Sequence, residues 1–359
     1  MSMNTPQQLP AVKEFQTSGG ARIFQIPLQE FPILWGYVYL VLYTDRDGQE
    51  YRVLIDTGSG FGECNKHLEA GLETAGQLAG QHLGLETLSH VLITHGHIDH
   101  FGGLGYVRSR TPARVGVHEL DLRNLTHYEE RLVVVSRRLG TFLAEAGIPA
   151  GERCQIIDMY QITKRLYHSE KVDFTYEACG MRLGPFEMLH VPGHCAGHVV
   201  IRLHDVLFSG DHVLEETSPH QSPEHLTLST GLEHYLRSLD VLKAWAGDEI
   251  RLALGGHKDP IYDLPGRIES IHALHHERLA RVRDFLGDAH SIAEVSRHLF
   301  GDAHGYNALL ALEEAGAHVE YLYQRGLLGI ANLKDYECGN EPDVILYQRV
   351  SALDNPKIL

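Results

Sequence analysis

Positions 94 to 100 read Thr94-His95-Gly96-His97-Ile98-Asp99-His100, three imidazoles and a carboxylate within six consecutive positions, directly after the apolar run His90-Val91-Leu92-Ile93. That run predicts a buried strand, so the cluster sits on a loop leaving a strand end, where alternate side chains can be aimed into one cavity. Neutral imidazole and carboxylate are the ligands that Zn(II), Fe(II) or Mn(II) prefer. A segment of this kind is a metal site before it is a chance product of a chain with 25 histidines.

Further donors follow in an order that a layered α/β fold brings together. His194 lies in Val191-Pro192-Gly193-His194-Cys195-Ala196-Gly197-His198, Asp211 ends the strand-like run from Asp205, and His257 ends Leu252-Ala253-Leu254-Gly255-Gly256. Each follows an apolar stretch and a glycine. Glycine there lets the backbone turn sharply or approach a ligand closely.

In these residues the chain resembles the metallo-β-lactamase superfamily: HxHxDH, a histidine in a PGHxxGH-like turn, an Asp after Gly, a final His, and an early Asp-Thr-Gly turn, here Asp56-Thr57-Gly58. The resemblance covers about residues 20 to 265. It implies that His95, His97 and His194 hold one divalent ion, that Asp99, His100 and His257 hold another, and that Asp211 bridges them, with Zn expected and Fe or Mn as alternatives. Asp56 and His198 are expected to support the ligands from behind. The pattern departs at Cys195-Ala196, where many relatives carry Thr-Pro; a lone thiol with no matched base reads as a small buried hydrophobe.

The activity so implied is hydrolysis, because two cations flanking one water lower its pKa toward about 7 and supply a bridging hydroxide at neutral pH. Asp99 is the candidate to orient that hydroxide or relay its proton. A small ester, thioester or lactone is the expected substrate, glyoxalase-II-like thioester cleavage being one example. Two alternatives stand beside it, a metal-dependent endoribonuclease and a mononuclear-iron persulfide dioxygenase. His97, where flavodiiron proteins carry Glu, argues against flavodiiron chemistry.

Composition bears on partners. Asp and Glu outnumber Lys and Arg by 47 to 31, a formal net charge of -16, whereas nucleic-acid enzymes usually present a basic field. A small-molecule substrate is therefore expected over nucleic acid. The longest apolar stretch, Phe31 to Tyr43, spans 13 residues, contains Pro32 and Gly36 and reads as a buried strand, so no membrane segment is expected. Five widely spaced cysteines without a CxxC pair suit a reducing cytoplasm.

The expected fold class is an α/β metallo-β-lactamase αββα sandwich. Residues 1–20 read as a loose arm and 21–265 as the catalytic domain, with a helical insert at about 118–171 that would roof the site. From it Tyr160, Lys164, Arg165 and Tyr167 are candidate substrate contacts, joined by His220 from the polar loop after Asp211. Residues 266–359 read as three helices and a two-stranded wing, similar to the winged-helix appendage of some relatives, including endoribonuclease-like ones. They hold nine Lys and Arg against fourteen Asp and Glu. With Glu313, Glu314 and Glu320 on its third helix, the unit is expected to be a structural or dimerising lid, giving a homodimer, and not a reader of nucleic acid.

Overall fold

Alternating apolar side chains build a sheet that is buried on both faces. In the computed structural model, which describes residues 10–338 and 344–350, β1 (Lys13–Gln16), β2 (Arg22–Phe31), β3 (Leu34–Thr44) and β4 (Glu50–Ile55) run antiparallel. After α1 (Cys64–Ala79), β5 (His90–Leu92) lies parallel to β4. The chain continues through α2 (Ile98–Phe101) and α3 (Leu104–Arg108) to β6 (Arg114–Val117). The insert follows as α4 (Glu119–Thr126), α5 (Tyr128–Glu145) and α6 (Ala150–Lys164), and β7 (Phe174–Thr175) completes seven strands in sequence order.

The second sheet holds β8 (Arg182–Leu183), β9 (Phe186–His190), β10 (Val199–Leu203) and β11 (Val206–Gly210), all antiparallel. A crossover through α7 (Leu232–Ala246) places β12 (Leu252–Gly255) parallel to β11. Ile23, Val41, Val53 and Ile55 from the first sheet meet Phe186, Val199, Ile201 and Phe208 from the second. The alternate residues Phe24, Ile26, Leu28, Leu40 and Leu54 pack on Leu68 and Leu72 of α1. Period-two side-chain alternation thus feeds two cores from one set of strands. The outer face of the second sheet, through Val200, Leu207 and Ala253, packs under helices, giving α/β/β/α layers.

Beyond lie α8 (Leu264–Phe285), α9 (Ile292–Phe300), α10 (Tyr306–Gln324), β13 (Leu328–Ile330), α11 (Leu333–Cys338) and β14 (Tyr347–Arg349). β13 and β14 pair antiparallel, as the pattern predicts. The Ser291–Glu294 capping box also forms: Ser291 Oγ accepts from Glu294 N, and the Glu294 carboxylate accepts from Ser291 N.

Three expectations change. Residues 13–16 are an edge strand on β2 and not part of a loose arm; positions 1–9 of that arm lie outside the described residues, as do 339–343 and 351–359 of the C-terminal unit. The apolar stretch from Phe31 is not one strand, because the chain turns at Pro32-Ile33 and Ile33 is 94% exposed. The boundary at 265 falls inside α8, and one continuous core joins Phe142 of α5, Leu239 of α7, Ile271 of α8, Val295 of α9 and Leu312 of α10. Among the described residues no helix is long and apolar enough to cross a membrane.

Candidate metal centre

Both sheets deliver donors to the same seam. β5 ends at Leu92 and the following loop carries His95, His97, Asp99 and His100; β9 leads to His194, β11 to Asp211 and β12 to His257. The parallel register of β11 and β12 shifts between Phe208 and Gly210, just before Asp211, and such irregularities re-aim the next side chain. Gly256 is a steric requirement: a Cβ there would stand 2.5 Å from His100 Cε1 and 2.6 Å from Asp211 Oδ1.

The donors fall into two groups. Ligand atoms of His95, His97 and His194 lie within 4.8 Å of one another, as do those of Asp99, His100, Asp211 and His257. Asp211 faces both groups, with Oδ1 3.4 Å from His100 Nε2 and Oδ2 3.5 Å from His257 Nε2 and 3.8 Å from His194 Nε2. Asp99 Oδ2 lies 3.4 Å from His257 Nε2.

The outer nitrogens are committed elsewhere, which fixes the tautomers. His194 Nδ1 donates to the His220 carbonyl at 2.7 Å and His257 Nδ1 to the Trp35 carbonyl at 2.8 Å. His100 Nδ1 donates to Asp56 Oδ2 at 2.8 Å. Thr94 Oγ1 donates to Asp56 Oδ2 and so accepts from His95 Nδ1 at 3.0 Å. Each of these four rings therefore turns Nε2 inward, the atom that would meet an ion. His100 Nε2, His194 Nε2 and Asp211 Oδ1 are buried without a hydrogen-bond partner, an arrangement that costs stability unless a cation satisfies it. The donor set fits divalent ions.

Electrostatics agree. Burial pushes His95, His97 and His194 below the ordinary imidazole range, keeping them neutral. Burial would raise the carboxyls of Asp99 and Asp211, but His257 and His100 outweigh it and hold both anionic. His257 is opposed by burial yet carried up to about 9 by Asp211 and Asp99. The first group thus holds neutral imidazoles and the second ionised carboxylates, while His100, opposed by burial yet raised by Asp211 and Asp56, and His257 keep a proton that an incoming ion would displace.

Asp56 also receives Thr94 N at 2.7 Å and adopts φ 61°. That left-handed conformation is costly for a side-chain-bearing residue and is held here by three hydrogen bonds to the ligand loop. His198 Nε2 accepts from Asp211 N at 3.1 Å. Cys195 is buried and donates to Asp121, 3.2 Å away, and burial followed by that carboxylate pushes the thiol up.

The candidate substrate contacts divide. Tyr160 and Tyr167 are buried, and the Tyr167 hydroxyl has no partner. Lys164 Nζ stands 5.5 Å from the Tyr160 ring centroid, and its charge acts on His97 and Asp99. Arg165 turns away, bonding Gln161 on its own helix and lining a cavity of about 420 Å³ with Leu132, Ser136 and Arg137; that cavity includes no member of the cluster. His220 points its ring at Glu313 and gives only its carbonyl to the centre.

Two supporting residues have no sequence signal. Glu30 is buried, accepts from Ser59 N at 2.5 Å, and is raised to about 7 by burial and then by Asp99. Asp121 ties Gly96 N at 2.7 Å to Gly197 N at 3.1 Å, joining the two ligand loops. Neither belongs to a motif, because each acts on residues distant in sequence.

A profile of the metallo-beta-lactamase superfamily matches residues 34–257. Among curated proteins, Endoribonuclease ysh1 of Schizosaccharomyces pombe is 29% identical over 134 residues, 37% of this chain and 16% of that protein. Hydroxyacylglutathione hydrolase of Xanthomonas euvesicatoria pv. vesicatoria is 29% identical over 133 residues, again 37% of this chain and 35% of the relative. The matched stretch thus spans about a sixth and a third of these proteins. A metallo-beta-lactamase family protein from Thermus thermophilus superposes with TM-score 0.71 at 27% identity, covering 91% of this chain and 98% of the other. A beta-lactamase domain protein from Burkholderia ambifaria shares the fold with TM-score 0.70 at 22% identity, covering 96% and 97%.

Proposed function

The chain belongs to the metallo-beta-lactamase superfamily, and from that membership we propose that it is a binuclear metal-dependent hydrolase acting on a small ester, thioester or lactone. The observation that carries this reading is the pair of donor groups with orphaned atoms turned inward between them. His95, His97 and His194 would hold one ion, and Asp99, His100 and His257 the other, with Asp211 shared. Two divalent ions so held lower the pKa of water toward neutrality and polarise the oxygen of the scissile group.

The chain's own residues supply the rest. Asp99, ionised and 3.4 Å from His257 Nε2, would accept a hydrogen bond from the attacking water and so orient it. Asp56 and the Trp35 and His220 carbonyls lock three imidazoles in orientation. Burial and then Arg131 bring Lys164 down to about 8, so it stays largely cationic at neutral pH and can receive a negative charge on the substrate. Tyr160 and Tyr167 wall that side and limit water.

The match over 133 residues to the hydroxyacylglutathione hydrolase supports a thioester. A second reading, endoribonuclease, is favoured by the match to Endoribonuclease ysh1 and opposed by the formal charge of -16. Elemental analysis of the purified protein with a panel of thioesters, lactones, phosphodiesters and RNA tests both. Two divalent ions per chain and turnover of a small acyl substrate, both lost in Asp211→Ala, are expected. RNA cleavage abolished by His97→Ala would transfer the assignment to the second reading, and one iron per chain with oxygen uptake would replace both by the dioxygenase.

A further inference from the structure

The loop from Ser218 to His225 presents the His220 carbonyl to His194, yet it contains neither helix nor strand. Its conformation is held from outside, by α10. Glu313 Oε2 lies 2.9 Å from His220 Nε2 and accepts from Ser222 Oγ at 3.1 Å. Glu314 accepts from Gln221 N at 2.7 Å through Oε2 and from Arg278 Nη1 of α8 at 2.9 Å through Oε1. Glu320 Oε2 accepts from Glu224 N at 2.7 Å, and its Oε1 lies 3.0 Å from His225 Nδ1. Between these carboxylates Pro223 packs against Gly316, where a Cβ would come within 2.9 Å of Pro223 Cγ, so only glycine admits the loop this close to the helix.

His275, Glu314 and His318 also cluster as a third set of donors, but their polar atoms are already engaged. His318 Nδ1 donates to the Glu314 carbonyl at 2.7 Å, leaving Nε2 to accept from His275 Nδ1 at 3.2 Å. His275 Nε2 then accepts from Ser218 Oγ at 2.7 Å. With the Arg278 cation on Glu314 as well, this is a hydrogen-bond chain bracing the same loop and not an ion cage.

We propose that Glu313 and Glu314 of α10 are positioning residues for one half of the metal centre: by fixing the His220 carbonyl they fix the ring of His194. The C-terminal helices thereby set the ion affinity of the group His95, His97 and His194 through His194, whereas the rings of His100 and His257 in the other group are anchored by Asp56 and the Trp35 carbonyl, neither of them on α10. This rests on the reading that each group holds an ion. A partner that orients a ligand imidazole is worth about 10–100-fold in metal affinity, and a loop without secondary structure has no ladder of its own to hold its carbonyl in place.

Zinc titration of the full-length metal-free protein against a chromophoric chelator separates two binding steps, and His97→Ala and His257→Ala identify which step belongs to which group. Glu313→Ala is expected to weaken the step lost in His97→Ala roughly tenfold and to leave the other within about twofold; Glu313→Gln, which keeps an acceptor for Ser222 and His220, recovers most of it. Equal weakening of both steps, or no change in either, overturns the proposal. Should Glu313→Ala fail to fold by circular dichroism, Ser222→Ala removes one of the same hydrogen bonds and carries the test with a smaller shift. A wild-type protein that binds fewer than two zinc ions instead sinks the two-ion reading on which the proposal stands.

Discussion

At the scale of single residues, the centre depends on groups that touch no ligand atom directly. Asp56 holds Thr94 and His100 with three hydrogen bonds from a left-handed backbone. Asp56→Ala is expected to weaken zinc binding about 10–100-fold, measured by chelator competition, with the fold retained. Cys195, buried and pushed up by burial and by Asp121, should resist iodoacetamide in the native protein while exposed Cys154 is alkylated; mass mapping that finds Cys195 labelled first would contradict this. The candidate ligands stand out in the sequence because four share the loop after β5 and the other three each follow a strand and a glycine. Glu30 and Asp121 do not, since their value lies in contacts such as that of Asp121 with Gly197, 76 positions away.

At the scale of elements, α6 carries Lys164, whose charge acts on His97 and Asp99. If a substrate anion meets it, Lys164→Met should raise KM about tenfold or more for a carboxylate-bearing thioester, with little change for a neutral analogue. Equal loss for both would remove the charge from the account. The α9 start is simpler. Ser291→Ala deletes the cap of a box whose two hydrogen bonds are both formed and should cost about 1 kcal/mol in denaturant unfolding. That box was legible because its signal is local, Ser and Glu three positions apart. The turn at Pro32-Ile33 had a signal in Pro32, which the long apolar run around it outweighed in the reading of one strand. The role of α10 was hidden too: Glu313, Glu314 and Glu320 read only as charges that would repel a duplex, because the loop at 218–225 that they hold is distant in sequence.

At the scale of the whole molecule, the C-terminal helices share their core with α5 and α7, so stability is common property. His275 is buried and brought down to about 3 by desolvation, against the opposing Glu314 charge and with help from His318 and Arg278; buried His318 is lowered too. The unfolded chain takes up protons on these rings below about pH 6.5 while the folded chain does not. Stability is therefore full above that pH and falls as pH drops below it, for His275 toward about pH 3 by up to about 1.4 kcal/mol per pH unit, His318 acting in the same direction. Urea melts from pH 7 to 4 should show a shallower decline in His275→Gln than in the wild type, ligand protonation at the metal centre being common to both.

The seam between the two sheets has one more consequence. One sheet contributes the 95–100 segment and the other contributes His194, Asp211 and His257, so ions held there act as rivets through a sandwich whose halves otherwise adhere mainly by greasy contact. Stripping them should let the slabs breathe apart at that rim first. Deuterium uptake would then quicken around Ile93, Gly210 and Gly255 well before the opposite rim responds.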